Sequence, residues 1–228
     1  MEHTYNTDEI YQILETELVS LRIRPGELIS ENSLCQRFAV SRTPIRSVLQ
    51  RLEQNGFVDI IPHRGTVVTA IDLNIANQMI YERVALETMV LRDFARSCSP
   101  TDLARVHYCY SQMLGAAKTT DDLSYFDVNE FLATDLAMHE VWFLAMDKPY
   151  LWERVTAPHA DYSRFIRLDI VGAKNVPDVL SEHKQMLDII ENKRLDEIES
   201  LLSRHLYGGV RRLGACLFSE EYAVYFKK

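Results

Sequence analysis

Phe38-Ala39-Val40-Ser41-Arg42-Thr43-Pro44-Ile45-Arg46-Ser47-Val48-Leu49-Gln50-Arg51-Leu52 is the stretch on which the fold turns. Ala39-Val40 reads as a tight turn. Ser41 stands at an N-cap, where a short hydroxyl can accept from the first free amides of a helix. Pro44 falls in the first turn, where a missing N–H is tolerated. Ile45, Val48, Leu49 and Leu52 recur at helical spacing and predict one buried face. Arg42 and Arg46, four apart, share the opposite face. This helix is expected to run from Arg42 to Asn55 and to stop at Gly56.

Working outward, Ser30 is the next N-cap candidate, for a short helix ending near Phe38. Thr7 is expected to cap a helix to about Leu21, with Ile10, Ile13, Leu14 and Leu18 on one stripe and Arg24-Pro25-Gly26 as the break. Downstream, Phe57–Ile61 and Thr66–Ala70 are rich in β-branched and aromatic residues. They flank Pro62-His63-Arg64-Gly65 and predict a hairpin. Three helices and a hairpin in this order make a winged helix-turn-helix over residues 1–71. In such a unit the first residues of the second helix of the motif enter the DNA major groove. Arg42 and Arg46 can fork onto guanine, Thr43 offers a hydroxyl, and His63 and Arg64 at the wing tip can reach a backbone or minor groove.

Bulk charge argues the other way, because the 228-residue chain carries −8. DNA affinity depends on local phosphate neutralisation, however. From Arg37 to Arg64 the charges are Arg37, Arg42, Arg46, Arg51 and Arg64 against Glu53 and Asp59, so this segment is net +3 on a body of −11. No apolar run approaches the ~20 residues that cross a bilayer, and residues 1–6 lack a signal-peptide pattern, so a cytoplasmic protein is expected. Cys35, Cys98, Cys109 and Cys216 form no C-x-x-C pair and are expected as reduced thiols.

After Ile71 only helices are predicted: Asp72 to Ser97, Ser99-Pro100 to Lys118, Asp122 to Met146, Tyr150 to Leu168, Asp178 to Asn192, and Leu195 to Leu217. The tail beyond Phe218 is left open. The fold class is therefore mainly α, a winged helix followed by an all-helical bundle of about six helices over residues 72–228. In the bundle, Asp135 and His139 in D-L-A-M-H lie one turn apart. His183 and His205 lie 10 residues before and 12 after Lys193, which places them at similar heights on an antiparallel pair of helices. Three imidazoles and a carboxylate can converge there and would suit zinc, nickel, manganese or iron. A histidine on an amphipathic helix is more often a satisfied polar residue, and spacing leaves both readings open. His3, His107 and His159 have no comparable partner.

Residues Pro25 to Thr69 resemble the GntR family of regulators. The likeness rests on P-G-E-L-I-S-E-N-S-L, F-A-V-S-R-T-P-I-R-S-V-L-Q-R-L, N-G-F-V and P-H-R-G-T-V-V. The resemblance implies contact with double-stranded operator DNA by Arg42, Thr43, Pro44 and Arg46, assisted by Asn32 and the wing residues His63, Arg64 and Gly65. Ser47 and Cys35 depart from the usual Glu and Ala. Residues Asp72 to Leu217 are similar to the FCD effector domain of the FadR subfamily, in I-Y-E-R-V-A-L-E (80–87), D-L-A-M-H (135–139), S-E-H-K-Q-M-L-D-I-I (181–190) and R-H-L (204–206). About six helices looks closer to the shorter, VanR-like variant. The resemblance implies Asp135, His139, His183 and His205 as ligands of a divalent transition metal, with zinc the first expectation.

The resemblance also implies a small organic-acid effector beside that metal. Arg83 is expected to pair with its carboxylate, with a salt bridge to Glu82 or Glu87 as the alternative role. Tyr162, Arg164 and Tyr207 are weaker pocket candidates. A homodimer is expected, since one winged helix reads a half-site. An enzyme is not: His139-Glu140-Val141-Trp142-Phe143 lacks the second histidine of H-E-x-x-H, and no nucleophile elbow or phosphate loop occurs. The competing readings are the same regulator with a purely structural metal, and a metalloenzyme.

Overall fold

The computed structural model describes residues 4–117, 127–172 and 175–227. It divides into two compact units. The first gathers Met1–Asn77 with Pro158–Arg167 and Ala215–Lys228, and the second gathers Gln78–Ala157 with Leu168–Gly214.

The first unit holds α1 (Thr7–Val19), β1 (Leu28–Ile29), α2 (Glu31–Phe38), α3 (Arg42–Gln54), β2 (Val58–Ile61) and β3 (Gly65–Val68). Ile45, Val48, Leu49 and Leu52 of α3 are buried, as their spacing predicts, and join Ile10, Leu14, Leu18, Phe38 and Phe57 in one core. Burial at this level stabilises by about 2 kcal/mol per side chain. Ala39, in the left-handed region at φ 53°, makes the sharp turn between α2 and α3. Gly56 at φ 76° ends α3 where a β-carbon would be strained.

Two details differ from the sequence reading here. Asn6, rather than Thr7, caps α1: its side chain accepts from Asp8 N and Glu9 N, while Glu9 accepts from Asn6 N. Leu28–Ile29 adds a third strand, giving the order β1-β3-β2 with Leu28 opposite Val67 and Val58 opposite Val68.

The open tail also has structure. A short helix α12 (Glu220–Ala223) is followed by a parallel bridge between Ile71 and Phe226. Ile71 N donates to Tyr225 O (2.8 Å), and Lys227 N donates to Ile71 O (2.9 Å).

The second unit is helical: most of α4 (Leu73–Ser97), α5 (Pro100–Ala117), α6 (Val128–Ala145), α7 (Pro149–Thr156), α9 (Val176–Asn192), α10 (Ile198–Leu206) and α11 (Gly208–Leu213). The helix α8 (Ala160–Gly172) contributes Ala160–Arg167 to the first unit and the rest to the second. Helix α5 packs on α6 and α9, and α10 packs on α9. Phe94, Phe131, Met138, Trp142, Phe143, Met186 and Leu202 fill the interior.

The expected single helix from Tyr150 to Leu168 is broken, because Ala157 before Pro158 is extended (ψ 132°) and ends α7. The expected helix from Leu195 to Leu217 is likewise divided into a 3-10 turn at Leu195–Glu197, α10, α11 and a second 3-10 turn. The predicted termini at Lys118 and Asp122 lie outside the described residues.

Candidate functional site

The DNA-reading candidates lie on the first unit. Ser41 occupies the N-cap of α3 without a side-chain cap bond, and Arg42 and Thr43 stand exposed behind it, with Pro44 half-buried. Arg42 Nη2 donates to Asn32 Oδ1 (3.0 Å), so Asn32 of α2 orients the guanidinium. Arg46 Nε pairs with Glu31 Oε2 at 3.1 Å while its side chain remains 60% exposed. Neither arginine is fixed by burial, and both can exchange these partners for a base edge or phosphate. At the wing tip Ile61 pairs with Gly65, and Arg64 N donates to Ile61 O (3.1 Å). His63 at φ 63° and Gly65 at φ 104° close this loop, and His63, Arg64 and Gly65 are exposed. Glu31 went unnoticed in the sequence; an acid at the N-terminus of α2 gives no sign of an arginine 15 residues away.

The second unit assembles the four expected metal ligands. One donor atom each from Asp135 and His139 on α6, His183 on α9 and His205 on α10 lies within 4.8 Å of the others. Donors bound to one ion at about 2.1 Å lie at most about 4.2 Å apart, so the set is close to a coordination sphere. His139 and His183 have no exposed surface, and His205 has 8%. The 3.6-residue period brings Asp135 and His139 together, and the α9–α10 hairpin brings the His183 and His205 rings to 4.7 Å.

The outer nitrogen of each ring is held. His139 Nδ1 donates to Glu87 Oε2 (2.5 Å), His183 Nδ1 to Val179 O (2.8 Å) and His205 Nδ1 to Glu182 Oε2 (2.9 Å). Burial pushes the Glu87 carboxyl up, but Arg83 and His139 outweigh it and hold it down at about 2, so it is ionised and can only accept. A carbonyl too can only accept. His139 and His183 therefore carry their protons on Nδ1 when neutral, which leaves Nε2 as a lone pair. Burial drives His183 down to about 3, against the pull of Asp135, so it is neutral at ordinary pH.

The consequence is a concentration of acceptors. His139 Nε2 faces His183 Nε2 at 3.1 Å, and Asp135 Oδ1 stands 3.3 Å from His183 Nε2. Burial raises the Asp135 carboxyl, but the positive charge that His183, His139, His205 and Arg83 carry when protonated outweighs it and holds it below its usual range. With both rings as neutral Nδ1–H tautomers, three acceptors face one another in this space and repel unless a cation lies among them. The donor set thus fits a divalent transition metal.

The expected effector residues fare differently. Arg83 is buried and its Nε donates to Glu87 Oε1 (2.6 Å), the salt-bridge role weighed as its alternative. Arg164 lies outside the unit that holds the histidine cluster. It belongs to the first unit with no exposed surface, donating to Thr69 O (2.6 Å), Thr69 Oγ1 (3.0 Å) and Ala160 O (2.7 Å). Burial lowers it to about 10, still a cation at neutral pH, and it serves the packing of that unit. Tyr162 lies in the same stretch, half-buried. Tyr207 is the half-buried C-cap of α10.

Glu87 was named only as an alternative partner of Arg83; its bond to His139 and the bond of Glu182 to His205 were missed. The i,i+4 spacing of Arg83 and Glu87 was a usable signal, whereas Glu182 is visible only once the α9–α10 hairpin is drawn in register. Among the described residues no helix is long and apolar enough to cross a membrane.

A winged helix-turn-helix joined to a helical bundle with a buried histidine centre defines a transcription regulator with an attached regulatory domain. The profile of the bacterial regulatory proteins of the gntR family matches residues 6–68, and that of the FCD domain matches residues 78–208, more than half of the chain. The chain belongs to the GntR family of transcriptional regulators and carries an FCD domain.

The HTH-type transcriptional repressor RspR of Escherichia coli (strain K12) is 25% identical over 200 residues, spanning 87% of this chain and 84% of its own. The galactonate operon transcriptional repressor of the same organism is 24% identical, spanning 91% and 96%. Among solved structures, a GntR-type regulator from Rhodococcus sp. RHA1 covers 92% of this chain and 98% of its own at 18% identity and TM-score 0.71. Escherichia coli McbR/YncC covers 90% and 95% at 16% identity and TM-score 0.67. Both share the fold. The family and these curated relatives are transcriptional regulators rather than enzymes.

Proposed function

We propose that this regulator works as a homodimer in the cytoplasm, reading a two-half-site operator with Arg42, Thr43, Pro44 and Arg46, and with Asn32, His63, Arg64 and Gly65 in support. Its FCD domain holds one divalent transition metal on Asp135, His139, His183 and His205, with zinc the first candidate. A small carboxylate effector binds at or near that ion and changes operator affinity. The observation that carries the metal is the convergence of His139 Nε2 and His183 Nε2, 3.1 Å apart, beside the Asp135 carboxylate. When bound, the metal would supply a Lewis-acidic coordination point for an effector carboxylate. The protein contributes the buried walls and the fixed imidazoles.

Effector and operator must influence each other's affinity by the same factor. The test is to screen small carboxylic acids for binding to metal-loaded protein and then measure operator affinity with each binder. At least one binder is expected to shift operator affinity about fivefold or more, the low end of usual coupling. Tight binders that leave it unchanged would defeat the sensory reading.

A second reading, a purely structural metal, draws support from the complete burial of His139 and His183. It expects removal of the metal to unfold the FCD domain and no acid to compete for the ion.

A further inference from the structure

Two of the three histidines are backed by a carboxylate that is itself backed by an arginine. On the inner side Arg83 Nε donates to Glu87 Oε1 (2.6 Å) and Glu87 Oε2 accepts from His139 Nδ1 (2.5 Å), all three residues being buried. On the outer side Arg204 Nε lies 3.8 Å from Glu182 Oε1, and Glu182 Oε2 accepts from His205 Nδ1 at 2.9 Å. The third ring, His183, is held by the carbonyl of Val179 one turn earlier on its own helix. Every ring nitrogen that does not face the centre is thereby assigned an acceptor.

We propose that Glu87 and Glu182 are positioning residues, which with the Val179 carbonyl set all three imidazoles as Nδ1–H tautomers with Nε2 inward before any metal arrives. Arg83 acts through Glu87, holding that buried carboxylate in place by the hydrogen bond from its Nε, rather than on an effector. This inference rests on the reading of the four-residue cluster as a metal site. Its chemistry is general: a histidine ligand fixed by an outer acceptor pays no tautomer or rotamer penalty on binding and is the more basic donor.

The two relays differ in kind. Glu87 is wholly buried, so its pull on His139 is unscreened. Arg204 is 46% exposed beside Glu182 at 10%, so this outer arginine is open to screening by salt while the hydrogen bond from His205 is not.

A histidine side chain free in water favours the Nε2–H tautomer, so the arrangement has a spectroscopic signature, and zinc affinity separates its positioning role from a structural one. Metal-free full-length protein at pH 8 is examined by long-range ¹⁵N–¹H correlation. His139, His183 and His205 are expected in the Nδ1–H form, and Nε2–H rings, or a metal-free FCD domain that is unfolded, overturn the proposal.

In parallel, zinc affinity is measured by competition with a chromophoric chelator for the wild type, Glu87→Gln, Glu182→Gln and His183→Ala. Glu87→Gln leaves Arg83 with a buried charge and can fail to fold, so Glu182→Gln, near the surface, is the deciding variant. It is expected to bind zinc about 10- to 100-fold more weakly while remaining folded. If Glu182→Gln matches a wild type that binds zinc, and His183→Ala does not bind, the positioning role falls and the metal site stands. If wild type and His183→Ala behave alike, the metal site itself falls.

Discussion

Arg164 hands two protons to a single residue: Nη1 to the carbonyl of Thr69 at 2.6 Å and Nη2 to its hydroxyl oxygen at 3.0 Å. Thr69 follows β3 directly and passes its own hydroxyl proton to Gly56 O (2.7 Å). The guanidinium therefore ties the end of the wing strand to α8, and it does so with no exposed surface. Arg164→Leu is expected to destabilise the DNA-binding unit by about 3 kcal/mol, since hydrogen bonds to charged groups contribute roughly 1.5–3 kcal/mol each and the Thr69 carbonyl is left unpaired. Arg164→Lys should recover little of this, because an ammonium cannot span both acceptors as a planar fork does. Urea denaturation followed by circular dichroism measures both. A lysine variant as stable as the wild type contradicts the assignment.

The reading face makes a separable prediction. Arg42→Ala and Arg46→Ala should each weaken a selected operator by about 1–3 kcal/mol and relax base preference at one position. Asn32→Ala should cost less, because Asn32 orients Arg42 through one exposed hydrogen bond. Fluorescence anisotropy against an operator selected from random DNA, repeated over a salt series, checks this. Equal losses on selected and random DNA would make both arginines phosphate contacts only.

Acid should loosen the FCD domain in a defined window. Glu87 is held at about 2 against an ordinary 4.5, so the folded state binds its proton less readily than the unfolded state. The stability this confers is complete above the unfolded value and is lost as pH falls from about 4.5 towards 2. Where Glu87→Gln folds it lacks that contribution, so metal-free variant and wild type should converge in stability at low pH. A gap between them that widens on acidification contradicts the ionised Glu87.

The C-terminal strap can be tested with one large-to-small change. Phe226 is 8% exposed beside the fully buried Ile71. Phe226→Ala should lower the stability of the first unit by about 3 kcal/mol. Lys227→Ala, which removes an exposed pair with Asp72 at 3.3 Å, should change it by less than about 1 kcal/mol. Similar effects from the two would mean the segment is held by charge rather than by burial.

How much of this was legible beforehand follows from the range of the forces involved. The α3 core face, the hairpin and the i,i+4 pair Asp135–His139 are local and periodic, and each reads directly from spacing. His183 and His205 were reached across a hairpin because the Lys193 turn fixes its register. Leu28–Ile29 is too short a strand to show alternation. The pairing of Ile71 with Phe226 joins residues 155 apart without any pattern. Pro158 was present in the sequence, but the apolar spacing on either side of it read as one helix. For Arg83 the i,i+4 spacing to Glu87 left an effector role and a salt bridge both open, and for Arg164 only tertiary packing reveals that Thr69 engages it.

The most direct test of the metal centre is the metal content of untagged, purified protein by inductively coupled plasma mass spectrometry, beside folded His183→Ala and His205→Ala variants. The account predicts about one divalent transition metal per wild-type chain and its loss in both variants, as the donor set of Asp135 and three histidines requires. Wild-type protein that holds no metal, even after incubation with zinc, nickel or manganese, would contradict it.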